Sequence, residues 1–133
     1  MLTPEKLAAS GTESGAQKAL FAWIALQSQD SPLRLAFAIP NGGHRNKITA
    51  GRMKAEGVRS GVPDIFLPVA RAGYHGLFIE MKVGNGRTSV AQDEWIKKLV
   101  LQKYGVVTVW GWEAARNTML DYISVGDNDA TNA

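Results

Sequence analysis

Two apolar runs closing on a short loop constrain this chain more than any other feature. Asp64-Ile65-Phe66-Leu67 and Gly76-Leu77-Phe78-Ile79-Glu80-Met81-Lys82 read as strands, and Arg71-Ala72-Gly73-Tyr74 between them supports a hairpin. With the loop centred on Ala72, position i faces position 144 − i, so Asp64 faces Glu80. Side chains alternate along a strand, which puts Asp64, Glu80 and Lys82 on one face. Directly opposed Cβ atoms lie roughly 4.5–5.5 Å apart, and like charges there destabilise a sheet. Two carboxylates among Ile65, Phe66, Leu67, Leu77, Phe78 and Ile79 therefore need a proton or a cation. Mg2+ or Mn2+ suits such hard oxygen ligands, with waters and a substrate phosphate completing the octahedron. Lys82 adds an ammonium that could hold an attacking water or neutralise a phosphorane-like transition state. A metal beside it could act as a Lewis acid on a phosphoryl oxygen, so the constellation points to phosphodiester hydrolysis. The plainer reading is a cross-strand carboxylate relieved by Lys82 as an ion pair, since a Glu-x-Lys triplet is common.

The rest of the chain supplies an α/β frame around this hairpin. A first helix should start at the N-cap Thr12 and carry Ala16, Leu20, Trp23 and Ile24 at helical spacing, ending at Asp30-Ser31-Pro32. Leu33, Leu35, Phe37 and Ile39 alternate like a strand, broken by Pro40-Asn41-Gly42-Gly43. The segment after it can hold a short helix stopping at Gly57. A second clear helix starts at Ser89 and runs through Trp95, Ile96 and Leu99, with Gly105 as its expected C-terminal cap. Val106 to Trp110 reads as a buried strand and Glu113 to Ile123 as a final helix. The order is α-β-β-β-α-β plus a C-terminal helix: a mixed β-sheet flanked by helices. Residues 1–125 form one domain on this reading, and 126–133 a flexible polar tail.

Charge is concentrated rather than abundant. Between Asn41 and Ser60, Arg45, Lys47, Arg52, Lys54 and Arg59 stand against Glu56 alone, a net +4, so the other residues of this +3 chain sum to −1. Such a window suits phosphate contacts, with a solvated basic loop as the ordinary alternative. With 45% hydrophobic and 20% charged residues, wholesale disorder is excluded. No run of eighteen apolar residues offers a transmembrane helix, and Met1 to Ser10 lacks the pattern of a secretory signal, so no membrane partner is expected. The absence of cysteine excludes disulfides, thiolate zinc sites and cysteine nucleophiles, and fits a reducing compartment. His44 and His75 stand 31 residues apart and do not suggest a histidine metal site, although His44 could touch phosphate. Asn41-Gly42-Gly43 lacks the Gly-Lys-Ser/Thr ending of a P-loop, so nucleotide triphosphate binding is not expected. Trp23, Trp95, Trp110 and Trp112 suit core or interface packing better than base stacking. Trp112, Met119 and Tyr122 on the last helix offer an apolar patch for self-association.

Several stretches together resemble one family. Gly61-Val62-Pro63-Asp64 followed by Ile79-Glu80-Met81-Lys82 is similar to the P-D…E-x-K signature of the PD-(D/E)XK nuclease superfamily. Ala38-Ile39-Pro40-Asn41-Gly42-Gly43-His44-Arg45, Lys54 to Asp64, Gly76 to Lys82, and Gln92 before Trp95 more closely resemble the VRR-NUC family of virus-type replication and repair nucleases. The likeness runs roughly from Glu13 to Ile123. It implies that Asp64, Glu80, the Met81 carbonyl and Glu13 hold the metal, that Lys82 is the catalytic lysine, and that Gln92 joins the active site. Glu13, Gln17, Leu20 and Ile24 share one helix face, which would carry Glu13 toward the hairpin, although an acid in a first helical turn is favourable anyway. Gln92 has a rival role too, because Ser89-Val90-Ala91-Gln92 is a capping box.

The resemblance further implies a Mg2+- or Mn2+-dependent endonuclease acting on branched double-stranded DNA, similar to the stand-alone phage and bacterial members that resemble Holliday-junction resolvases. A homodimer would suit a four-way junction with two scissile strands. The setting would be cytoplasmic, the host cytoplasm for a phage-borne protein. Arg45, Lys47, Arg52, Lys54 and Arg59, with His44, are the expected DNA contacts. The alternatives are a flap- or nick-processing nuclease, a catalytically silent DNA-binding module, and a metal hydrolase of small phosphate esters.

Overall fold

The structure is a computed structural model and describes residues 2–40 and 47–126, with Lys47 described by its backbone alone. Two helices come first, α1 (Pro4–Ala8) and α2 (Glu13–Ala25). A short 3-10 helix (Pro32–Leu35), β1 (Phe37–Ala38) and α3 (Lys47–Ala55) follow. The hairpin strands are β2 (Ile65–Leu67) and β3 (Leu77–Lys82). Helix α4 (Val90–Leu101), β4 (Gly105–Trp110) and α5 (Trp112–Ser124) are the last elements among the described residues. The four strands make one mixed sheet in the order β1-β2-β3-β4, antiparallel except for the parallel β3–β4 pair. This is the helix-flanked mixed sheet expected of a PD-(D/E)XK-like α/β fold. No helix among the described residues is long and apolar enough to cross a membrane.

Caps explain most helix boundaries. Thr12 Oγ1 accepts from the Gly15 N–H at 2.9 Å and starts α2. Helix α3 ends in a Schellman motif: Val58 N–H donates to Met53 O, Gly57 N–H to Lys54 O, and Gly57 takes φ +104°. The same motif ends α4, with Tyr104 N–H on Leu99 O and Lys103 N–H on Val100 O, but here Lys103 holds the left-handed position at φ +70°. Gly105, expected as that cap, instead begins β4, because the helix ends two residues sooner.

Other expectations are corrected by tertiary context. The alternating stretch from Leu33 to Ile39 is a strand only at Phe37–Ala38. Ser31 Oγ caps the Leu33 N–H and Pro32 fixes the first turn, so Pro32–Leu35 coils; Leu33 is buried while Leu35 is 57% exposed. Strand β4 is only partly buried because it forms a sheet edge, with Trp110 51% exposed. Trp112 and Met119 are buried in the chain's own core, and the Tyr122 hydroxyl donates to Val69 O. Trp112 and Met119 thus belong to the chain's own core rather than to a surface patch.

The hairpin register pairs Ile65 with Ile79, Phe66 with Phe78 and Leu67 with Leu77, so each pair sums to 144. The loop reaches this register by an unexpected route. Ala72 and Gly73 both have positive φ between the bridged Arg71 and Tyr74, the pattern of a type I′ turn. The turn is thus centred half a residue late. The unequal segments 68–70 and 75–76 restore the strand register.

The sheet has two unlike faces. Ile65, Leu67, Leu77, Ile79 and Met81 join Ala16, Ala19 and Leu20 of α2 and Trp112, Ala115 and Met119 of α5 in the main core. On the other face Phe66 stacks on Phe78 at 4.3 Å, and Tyr104 packs edge-on to both. Glu80 and Lys82 continue that second face.

Candidate active site

Glu80 is 1% exposed and Lys82 7%, the two buried charged residues among those described. Continuing the hairpin register past Ile65–Ile79 sets Asp64 opposite Glu80. The Asp64 side chain then crosses to β3, where its Oδ2 accepts from the Met81 N–H at 2.8 Å. Its backbone carbonyl accepts from the Ile39 N–H at 2.7 Å and ties it to the β1 side. Asp64 is thus fixed at both its main chain and its side chain.

Gln92 connects this pair to Lys82. Its Nε2 donates to Glu80 Oε1 at 2.7 Å, and its Oε1 accepts from Lys82 Nζ at 3.1 Å and from the Ser89 N–H at 2.8 Å. Ser89 Oγ in turn accepts from the Gln92 N–H. The helix-capping contact and the contact to the buried charges, rivals when the sequence alone is read, are made by one amide at once. The half-buried stripe Gln92, Trp95, Ile96 and Leu99 turns toward the sheet and brings the amide there.

Gly61 sets the spacing between the Asp64 loop and α4. It has φ +90°, and a Cβ there would stand 2.9 Å from the Ala91 carbonyl carbon and oxygen. Only glycine allows that approach without strain. The signal was present in Gly61-Val62-Pro63-Asp64, but spacing alone does not reveal which backbone the glycine meets.

The electrostatics of Glu80 follow from its position. Burial, the largest cause, pushes its pKa up from 4.5 to about 9; the Asp64 carboxylate adds to this, Lys82 opposes it, and Glu13 contributes last. Glu80 Oε2 is buried with no hydrogen-bond partner. A proton shared with Asp64 would relieve it, and so would a cation. The available donors are carboxylate oxygens, the chemistry that a hard divalent ion accepts. Among the described residues no group of three or more His, Cys, Asp or Glu side chains is clustered for a metal. Two opposed carboxylates still match an ion that keeps waters and takes up substrate oxygens.

The remaining candidates are more scattered. Glu13 is exposed at the start of α2, a helix packed against the core face, and only its charge reaches Glu80. Arg52, Lys54 and Arg59 are exposed on and after α3, where Arg52 pairs with Glu56 at 3.5 Å. His44, Arg45 and the turn Asn41-Gly42-Gly43 lie outside the described residues, as does the side chain of Lys47. His75 is exposed in the hairpin, its ring against Tyr104.

The family model of the VRR-NUC domain matches residues 5–110. A solved structure of a "VRR_NUC domain protein" is similar with a TM-score of 0.75 and 30% identity, over 87% of this chain and 91% of that one. No curated protein matches the chain.

Proposed function

Because this chain belongs to the VRR-NUC family, nucleases of the PD-(D/E)XK type, we propose that it is a Mg2+- or Mn2+-dependent endonuclease of branched double-stranded DNA, resembling a Holliday-junction resolvase. The observation that carries the proposal is the meeting of Asp64, Glu80, Gln92 and Lys82 on one sheet face, with the orphaned Glu80 Oε2 among them. Asp64, Glu80 and the Met81 carbonyl would hold the ion, with Glu13 as an outer acidic neighbour. When bound, such an ion supplies Lewis acidity toward a phosphoryl oxygen and toward water.

The chain's own groups do the rest. Lys82 presents an ammonium held by the Gln92 amide, placed to offset negative charge that develops on the phosphoryl group. Gln92 bridges Glu80 and Lys82, its amide nitrogen donating to one and its oxygen accepting from the other. Arg45, Lys47, Arg52, Lys54 and Arg59, with His44, would bind the DNA backbone, giving affinity that falls steeply with salt. A homodimer would offer two identical sites to a junction with two symmetric scissile strands. Its setting would be the cytoplasm, the host's for a phage-borne protein.

Incubating the protein with labelled four-way, flap, nicked and linear DNAs, with and without Mn2+, tests the reading. Metal-dependent incision of the four-way junction in preference to the others is the expected result. Preference for flaps or nicks would replace the resolvase assignment. Tight binding with no incision would make the chain a silent DNA-binding module, and salt-insensitive turnover of a small phosphate ester without DNA binding would remove DNA as the substrate.

A further inference from the structure

The face that carries Glu80 and Lys82 continues onto β4. Thr108 is the Cα partner of Glu80 and Trp110 that of Lys82, and partners on neighbouring strands present side chains to the same face. Beside them opens a cleft of about 700 Å³ lined by Asn85, Gly86, Arg87, Thr88, Thr108 and Trp110. Trp110 is 51% exposed, whereas Trp112 two residues later is 5%. The Trp110 indole Nε1 donates to Gly86 O at 2.8 Å, so the ring is tethered by its one polar atom. With its polar atom satisfied and about half of its surface exposed, the ring offers apolar area to the cleft. Gly86 also brings the cleft against the lysine, since a Cβ there would stand 3.5 Å from Lys82 Cδ. Arg87, exposed at the rim, adds a cation.

We propose that this cleft receives an unpaired nucleobase adjacent to the scissile phosphate, stacked on Trp110, with Arg87 meeting a neighbouring phosphate. Neighbouring strands lie about 4.8 Å apart, so a nucleotide next to one seated at Glu80 and Lys82 is within reach of the indole. Every base has a π-face, so stacking there selects for strand opening rather than for sequence. A base inside an intact duplex is stacked on its neighbours and cannot enter. The cleft therefore gives the site a preference for DNA whose stacking is broken at the cut, so that a base there can leave the helix. This inference rests on the nuclease reading for where the phosphate sits, but its binding can be measured without cleavage.

The test uses the full chain in EDTA, with a fluorescein-labelled duplex carrying one unpaired nucleotide and the same duplex fully paired. Wild type should bind the first more tightly, with quenched tryptophan emission. Trp110→Ala should lose about tenfold in affinity for the unpaired DNA, the scale of one base–aromatic stack, and little for the paired one. Trp110→Phe, which keeps a ring and protects against loss of fold, should retain most of the preference and lose the quenching. Equal affinity of wild type for both DNAs, an equal loss on both in Trp110→Ala, or undiminished quenching in Trp110→Phe would overturn the subsite. If the preference and quenching behave as expected but no DNA is cut with Mn2+, the nuclease reading fails and the stacking subsite stands.

Discussion

Alternate residues of β3 live in different worlds. Leu77, Ile79 and Met81 point into a core shared with α2 and α5, where each side chain has many apolar neighbours. Glu80 and Lys82 are as deeply buried, yet depend on a few directed contacts: one glutamine amide, one opposed aspartate, and an oxygen with no donor at all. The core face is held by summed contacts and tolerates the loss of any one at a graded cost. The polar face is held by individual hydrogen bonds and leaves an unmet need, which is the mark of a site that awaits something.

Breaking the polar face should change chemistry most. Glu80→Gln or Asp64→Asn should reduce DNA incision to background while binding by anisotropy is kept or strengthened, since carboxylate repulsion falls. Lys82→Met should slow incision at least about a hundredfold, the scale for removing one preorganised electrostatic group. Circular dichroism melts of these variants should stay cooperative; normal incision by the Lys82 variant would remove it from the chemistry.

Breaking the core face should give the reverse pattern. Ile79→Ala, fully buried opposite Ile65, should cost about 2–5 kcal/mol in denaturant unfolding, with incision per folded molecule little changed. That cost is a large fraction of an ordinary domain's stability, so variants should be compared well below their melting temperature.

Gln92→Ala sits between the two. It removes half of a capping box and leaves Glu80 and Lys82 without their shared partner, so unfolding should cost about 1–3 kcal/mol and incision should also fall. A stability loss without an activity loss would reduce Gln92 to a helix cap.

The two faces also differ through pH. An acid whose pKa rises on folding holds its proton more tightly in the folded state. Its contribution to stability is full below 4.5 and is lost as pH rises through about 9. Melting temperatures of the metal-free protein should therefore decline across that window, and Glu80→Gln should flatten the decline. Added Mn2+ should protect more at higher pH, because proton and cation compete for the same oxygens.

Much of this was legible in the chain. The register that opposes Asp64 to Glu80 followed from two apolar runs and a loop, because a hairpin leaves few ways to bury both runs. Thr12, Ser89 and Gly57 announced helix ends through local hydrogen bonding and backbone freedom. The segment Leu33 to Ile39 misled because its alternation is also compatible with a coil pinned by Ser31 and Pro32. Gly105 misled because Lys103 takes the left-handed position that glycine usually fills. Trp110 could not be told from Trp112, since exposure at a sheet edge depends on which strand lies outermost.

The sequence by itself determined which side chains share a face of the hairpin, because alternation and register are properties of the local chain. Only the tertiary structure decided that α4 lays Gln92 across Glu80 and Lys82, that α2 packs on the opposite face and leaves Glu13 at the margin, and that β4 ends with its indole in the open. Those outcomes depend on which element covers which face, and that choice is made by burial summed over the whole core rather than by any residue's immediate neighbours.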